Sequence, residues 1–85
     1  MKQVEIYTTP ICGYCMAAKR LLTSKNVPFT EIDVMQNPGK RSEMMQRANG
    51  GRTVPQIFIG GKHIGGSDDL HLLERQKKLD ALLAG

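Results

Sequence analysis

Apolar and polar residues alternate from the start of the chain. Val4, Ile6 and Thr8 interleave with Glu5 and Tyr7, which predicts a strand over residues 3–8. Thr9-Pro10 interrupts it, and the period then changes. Tyr14, Ala17, Ala18, Leu21 and Leu22 fall at i, i+3, i+4, i+7 and i+8. They form one face of a helix running to about Lys25, with Lys19 and Arg20 opposite. Asn26-Val27-Pro28 ends it. Residues 28–34 predict a second strand. Phe29 and Ile32 differ in parity there, as in a strand buried on both faces at the centre of a parallel sheet. Asn37-Pro38 starts a second helix, with Asn as N-cap and Pro at the first helical position. That helix carries Met44, Met45 and Ala48 as core residues and stops at Gly50-Gly51.

Gln56-Ile57-Phe58-Ile59 predicts a short strand, Gly60-Gly61 a two-residue hairpin turn, and Lys62-His63-Ile64 the returning antiparallel strand. After Gly65-Gly66, Ser67 is expected to cap a last helix with Asp68 and Asp69 in its first turn. Leu70, Leu73, Leu79, Leu82 and Leu83 supply the apolar face of that helix. The first βαβ unit should be parallel with a right-handed crossover. The hairpin extends the same sheet. The expectation is an α/β fold, β-α-β-α-β-β-α, with a four-stranded mixed sheet flanked by helices on both faces. At 85 residues this is one domain with a modest core, since only about 60–65% of the unfolded surface is buried at that size.

Composition narrows the function. The chain is 40% hydrophobic and 24% charged, an ordinary globular balance. No apolar run approaches the roughly 18–20 residues needed to span a bilayer. Glu5 interrupts the stretch that a secretory signal would need behind Lys2. The expected location is the cytoplasm, with no membrane partner. Net charge is +4 and the isoelectric point about 9.3. The twelve Lys and Arg are scattered except at Lys40-Arg41 and Lys77-Lys78, and two Tyr and two Phe make no base-stacking platform. Nucleic acid is therefore not an expected partner. The basic surface reads as solvated, with attraction for an anionic small molecule or acidic proteins as the sharper alternative. His63 and His71 read as surface residues.

Cys12 and Cys15 are the whole thiol inventory. A disulfide between them would close a very small loop and stabilise little, so chemistry explains the pair better than architecture. Cys12 lies where the first strand ends and the first helix begins. The helix N-terminus carries partial positive charge and unpaired N–H groups. Both favour a thiolate and predict a nucleophile. Cys15 follows three residues on, on the same face and nearer the apolar stripe, and is expected to act second as the resolving thiol. Zinc would need four ligands, and neither histidine has ligand spacing to the cysteines. The strand-to-helix position within a βαβ unit makes redox chemistry the leading reading.

Two further segments bear on a ligand. Thr53-Val54-Pro55 precedes the third strand. Either Pro55 is an ordinary strand-start proline, or a cis bond turns the Val54 backbone outward to pair with an extended peptide-like ligand. Gly65-Gly66-Ser67-Asp68-Asp69 is either a turn with a capped helix, or a set of N–H groups for a carboxylate with Asp68 for an ammonium group.

Taken together these motifs resemble the glutaredoxin family, in its short bacterial dithiol form. The resemblance rests on Cys12-Gly13-Tyr14-Cys15 after a strand ending Tyr7-Thr8, on Thr53-Val54-Pro55 followed by Gln56-Ile57-Phe58-Ile59, and on Gly65-Gly66-Ser67-Asp68-Asp69-Leu70. It covers nearly the whole chain and implies one domain over residues 1–85 with a thioredoxin-like fold. It implies a monomer that reduces protein disulfides and mixed disulfides with glutathione, the latter as co-substrate. Cys12 would be the nucleophile and Cys15 the resolving thiol. Thr53, Val54 and Pro55 would bind the cysteinyl part of glutathione, Gly66, Ser67 and Asp68 its γ-glutamyl end, and Tyr14 would flank the glycyl end. Three departures stand out. Gly13 replaces a frequent Pro, and members with Gly there also resemble those that hold a [2Fe–2S] cluster between two subunits, with Cys12 as a ligand. Thr9 replaces a frequent Lys on the glycyl carboxylate, a contact that Arg41 or Arg52 is expected to take over. Ser67 stands where a third cysteine often occurs. The alternatives to a glutathione-dependent enzyme are a cluster carrier or sensor, and a redoxin fed by thioredoxin reductase.

Overall fold

The computed structural model describes residues 1–85. Strands β1 (Val4–Thr8), β2 (Thr30–Asp33), β3 (Gln56–Ile59) and β4 (Lys62–Gly65) form one sheet in the order β2-β1-β3-β4. β1 runs parallel to β2 and antiparallel to β3, and β3 is antiparallel to β4. Helices α1 (Gly13–Ser24), α2 (Pro38–Arg47), α3 (Ser67–Arg75) and α4 (Leu79–Leu83) cover the two faces. No helix is long and apolar enough to cross a membrane.

The period-two pattern decides which helix packs where. Val4 and Ile6 of β1 and Ile57 and Ile59 of β3 point to one face. There they meet Ala18 and Leu22 of α1, Leu70 of α3, and Leu79 and Leu83 of α4. Tyr7 and Phe58 point to the other, where they meet Met44 of α2, Ala48 and Val34. The Gly60-Gly61 turn, with φ of +58° and +82°, gives the hairpin its tight reversal.

Four expectations need correction. β2 is an edge strand, not a central one, and Thr30 and Glu31 are exposed. The parity shift is nevertheless real, because Phe29 packs on the first core and Ile32 on the second. The last helix is two helices. Lys77 takes φ +59°, and the Lys78 N–H donates to Leu73 O at 2.9 Å, which closes α3 before α4 returns Leu79 and Leu83 to the core. Ser67 is the first residue of α3 rather than its cap. Gly66 holds the cap position, and its N–H donates to Asp69 Oδ2 at 2.9 Å. Asn37 does precede α2, but its side chain bonds Asp33 O instead of capping.

Candidate active site

Cys12 occupies the N-cap of α1 in extended backbone, φ −152° and ψ 107°. Its side chain therefore lies where a Ser or Asp cap would place an oxygen. The Cys15 N–H donates to Cys12 Sγ at 3.1 Å, so the sulfur takes one of the helix's otherwise unpaired donors. On its other side Cys12 Sγ lies 3.8 Å from the carbonyl oxygen of Val54, its thiol aimed at the loop before β3. Both cysteines are free thiols; Cys12 is half-buried and Cys15 is 1% exposed.

The two sulfurs have different chemistry. Burial pushes the Cys15 thiol up to about 12, reinforced by its hydrogen bond to Cys12 and by the proximity of that group. A backbone hydrogen bond from Thr9 and the charge of Lys19 act in the opposite direction. Cys15 shares the inward side of α1 with Ala18 and Leu22, all three buried. Its environment disfavours charge for that reason.

The Val54–Pro55 peptide bond is cis. A groove of about 540 Å³ runs beside it, a size typical of small-ligand sites. Tyr14, Thr53, Val54, Pro55, Gly66, Ser67 and Asp68 all line this groove, so the structure gathers three segments distant in sequence into one place. Arg41 is not among the lining residues. Its Nη2 donates to Arg52 O at 3.1 Å, which ties α2 to the loop leading into Thr53. Gly65 and Asp69 of the segment read as a ligand site line it too, and so do Gln56 and His63, which the sequence reading did not place there. His63 is no bare surface residue, since it is half-buried against Phe58 and Gln56. The signal was in the hairpin, because the Gly60-Gly61 turn fixes the pairing of Phe58 with His63. No three His, Cys, Asp or Glu side chains converge as a metal site.

Cysteines at a helix start, one half-exposed and one buried, beside a groove suited to an extended ligand, are equipped for thiol–disulfide exchange. Comparison with known proteins agrees. Residues 4–64 match the family model described as Glutaredoxin. A glutaredoxin of Pseudomonas aeruginosa is 55% identical over 84 residues, which cover 99% of each chain. The solution structure of a glutaredoxin from Brucella melitensis superposes with a TM-score of 0.85 at 53% identity, covering 98% of this chain and 89% of that one. A buckwheat glutaredoxin, crystallised in complex with glutathione, gives 0.87 at 34% identity over 96% of this chain and 76% of that one. On this matching sequence, fold and paired thiols, the chain belongs to the glutaredoxin family and is a thiol–disulfide oxidoreductase.

Proposed function

We propose that this chain is a glutathione-dependent oxidoreductase that reduces protein disulfides and glutathione mixed disulfides, with Cys12 as nucleophile and Cys15 as resolving thiol. The observation that carries this reading is the placement of Cys12. Its sulfur accepts the Cys15 N–H at 3.1 Å and stands 3.8 Å from the Val54 carbonyl, at the rim of the groove. The buckwheat relative, which binds glutathione, supports the choice of co-substrate.

Two routes follow. In the first, Cys12 thiolate attacks the glutathionyl sulfur of a mixed disulfide. The partner's thiolate leaves and takes up a proton. A second glutathione thiolate then attacks the glutathionyl sulfur on Cys12, forming oxidised glutathione and freeing Cys12. In the second route, Cys12 attacks a protein disulfide. Cys15 loses its proton and displaces the partner from Cys12, which leaves Cys12–Cys15 oxidised. Two molecules of glutathione restore both thiols. The groove serves the first route. The backbone of Val54 pairs with the cysteinyl unit of an extended tripeptide. The N-terminal end of α3 at Gly66 and Ser67, with Asp68, receives the γ-glutamyl carboxylate and ammonium, and Tyr14 flanks the glycyl end. Arg41 braces the loop through Arg52 and leaves its own place at the glycyl carboxylate to be tested by Arg41→Ala. The cycle needs a compartment where glutathione is kept reduced, such as the cytoplasm, and one copy of the chain completes it.

A [2Fe–2S] cluster takes four thiolate or imidazole ligands. One chain offers Cys12 alone, because Cys15 is buried and its thiol is held protonated. A cluster would therefore need Cys12 of two chains, with glutathione thiolates as the remaining ligands.

The test is NADPH consumption coupled through glutathione reductase, with a glutathionylated peptide as substrate. Wild type and Cys15→Ser turn over, and Cys12→Ser does not. If all three are inactive, the glutathione reading is wrong.

A further inference from the structure

Two groove-lining side chains have no part in the reaction just described, Gln56 and His63. Gln56 opens β3 and is only 5% exposed. Its amide nitrogen donates to the carbonyl oxygen of Thr53 at 3.0 Å and lies 3.4 Å from the Thr53 hydroxyl. Its amide oxygen lies 2.6 Å from Nε2 of His63. The orientation of the amide is fixed by Thr53, because a flip would set oxygen against that carbonyl. His63 must therefore be the donor, with its proton on Nε2. The imidazole is steadied by Phe58, its partner across the hairpin, with ring centroids 5.0 Å apart and planes inclined by 32°. A continuous chain thus runs from β4 through the base of β3 to the residue before Val54.

We propose that His63 and Gln56 are positioning residues that hold the Thr53–Val54 backbone in place for the glutathionyl group of the substrate, through His63 Nε2–H to Gln56 Oε1 and Gln56 Nε2–H to Thr53 O. The proposal rests on the glutathione reading of the groove. Val54 presents its carbonyl to Cys12, so a shift at Thr53 displaces the docking edge relative to the attacking sulfur. Without the imidazole, a buried acceptor on Gln56 has no partner. The amide then turns toward water and releases Thr53. Neither side chain bonds either sulfur, so the cost falls on docking rather than on bond exchange.

The experiment measures kcat and KM for a glutathionylated peptide at saturating glutathione in wild type, His63→Phe, His63→Gln and Gln56→Glu. His63→Phe keeps a ring against Phe58 but has no donor. Its KM rises roughly three- to tenfold, the factor carried by one hydrogen bond, with kcat within about twofold of wild type. His63→Gln restores an N–H at similar reach and brings KM back. Gln56→Glu still accepts from His63 but cannot donate to Thr53 O, and raises KM at least as far. Melting curves are taken alongside. The two damaging variants break the chain at different links, so either one that remains folded decides the matter. A wild-type KM in the folded damaging variants, or a fall in kcat at unchanged KM, overturns the proposal. A wild type that fails to turn over the peptide overturns the glutathione reading itself, and that result is distinct from wild-type behaviour in the variants.

Discussion

Gly65 is the position where a single added methyl group should do most harm. Its φ is +119°, a region that L side chains rarely adopt. A Cβ there would overlap Asp69 Oδ2 and lie 2.8 Å from Asp69 Cγ. Asp69 cannot simply yield, because that same oxygen accepts the Gly66 N–H that opens α3. The cost of Gly65→Ala is then about 1–2 kcal/mol for the backbone conformation plus about 1 kcal/mol for the lost cap. A total of about 2–3 kcal/mol corresponds to a melting temperature roughly 10–20 °C lower for a chain of this size. Gly61→Ala is the matched control. It also has a positive φ, +82°, but nothing lies within 4 Å of the added carbon, so it reads the backbone part alone. Thermal unfolding followed by far-ultraviolet circular dichroism compares the two. The same displacement moves Gly66, Ser67 and Asp68 in the groove, so Gly65→Ala should also raise KM for the glutathionylated peptide while Gly61→Ala leaves it unchanged. Equal melting temperatures for the two variants would refute the reasoning about Asp69.

Arg47 donates to both oxygens of Glu5, at 2.9 and 3.3 Å, and to the Tyr7 hydroxyl at 2.7 Å. Arg47→Met keeps an apolar chain near Phe58 but strands those acceptors, and should lower stability by about 1–3 kcal/mol; an unchanged urea midpoint would contradict this. Glu31 accepts from Lys19 and from Thr8, each at 2.8 Å, and the Lys19 bond foremost holds its carboxyl below the usual range. Its folded value lies below its unfolded one, so its stabilisation is complete above about pH 4.3 and is lost as pH falls through the folded value. Glu31→Gln should therefore be less stable than wild type at neutral pH and equal to it near about pH 2, as read from denaturant midpoints, and a constant gap across pH would count against the pair. Iodoacetamide at about pH 8 should label Cys12 alone in the folded protein, since the Cys15 thiol is buried and pushed up to about 12; two adducts by mass spectrometry before unfolding would contradict that placement.

Much of this architecture was legible along the chain because local chemistry and final structure agree. The switch from alternation at Val4–Thr8 to helical spacing after Cys12 marked the strand-to-helix junction that makes Cys12 an N-cap. The Gly60-Gly61 turn fixed a hairpin. What escaped the reading depends on distant partners. Whether β2 is central or at an edge is decided by β3 pairing on the far side of β1, which no local pattern at residues 28–34 encodes. The break between α3 and α4 hides because Leu70, Leu73, Leu79 and Leu83 keep apolar spacing across it, while Lys77, a residue with no turn signature, takes the left-handed conformation. Arg41 was read from charge and position on α2, and charge alone does not say that its guanidinium bonds the Arg52 carbonyl. The cooperation of Gln56 with His63 needed two steps, the hairpin register and then the reach of a side chain back to Thr53.

The three-residue spacing of the cysteines both joins and separates them. As N-cap and third helical residue they share a turn, which brings Cys12 Sγ onto the Cys15 N–H. The same geometry leaves Cys12 at the rim and sends Cys15 into the core with Ala18 and Leu22. Burial and the Cys12 contact push the Cys15 thiol up to about 12, so Cys15 is held protonated in the resting protein. That changes when Cys12 is captured in a mixed disulfide. The hydrogen bond and the charge of Cys12, which both hold the Cys15 proton in place, disappear together, while the opposing influences of the Thr9 backbone and Lys19 remain. Burial still raises the thiol, but less acts with it. In the proposed mechanism, Cys15 would then be easier to ionise when Cys12 carries the mixed disulfide that Cys15 is to resolve.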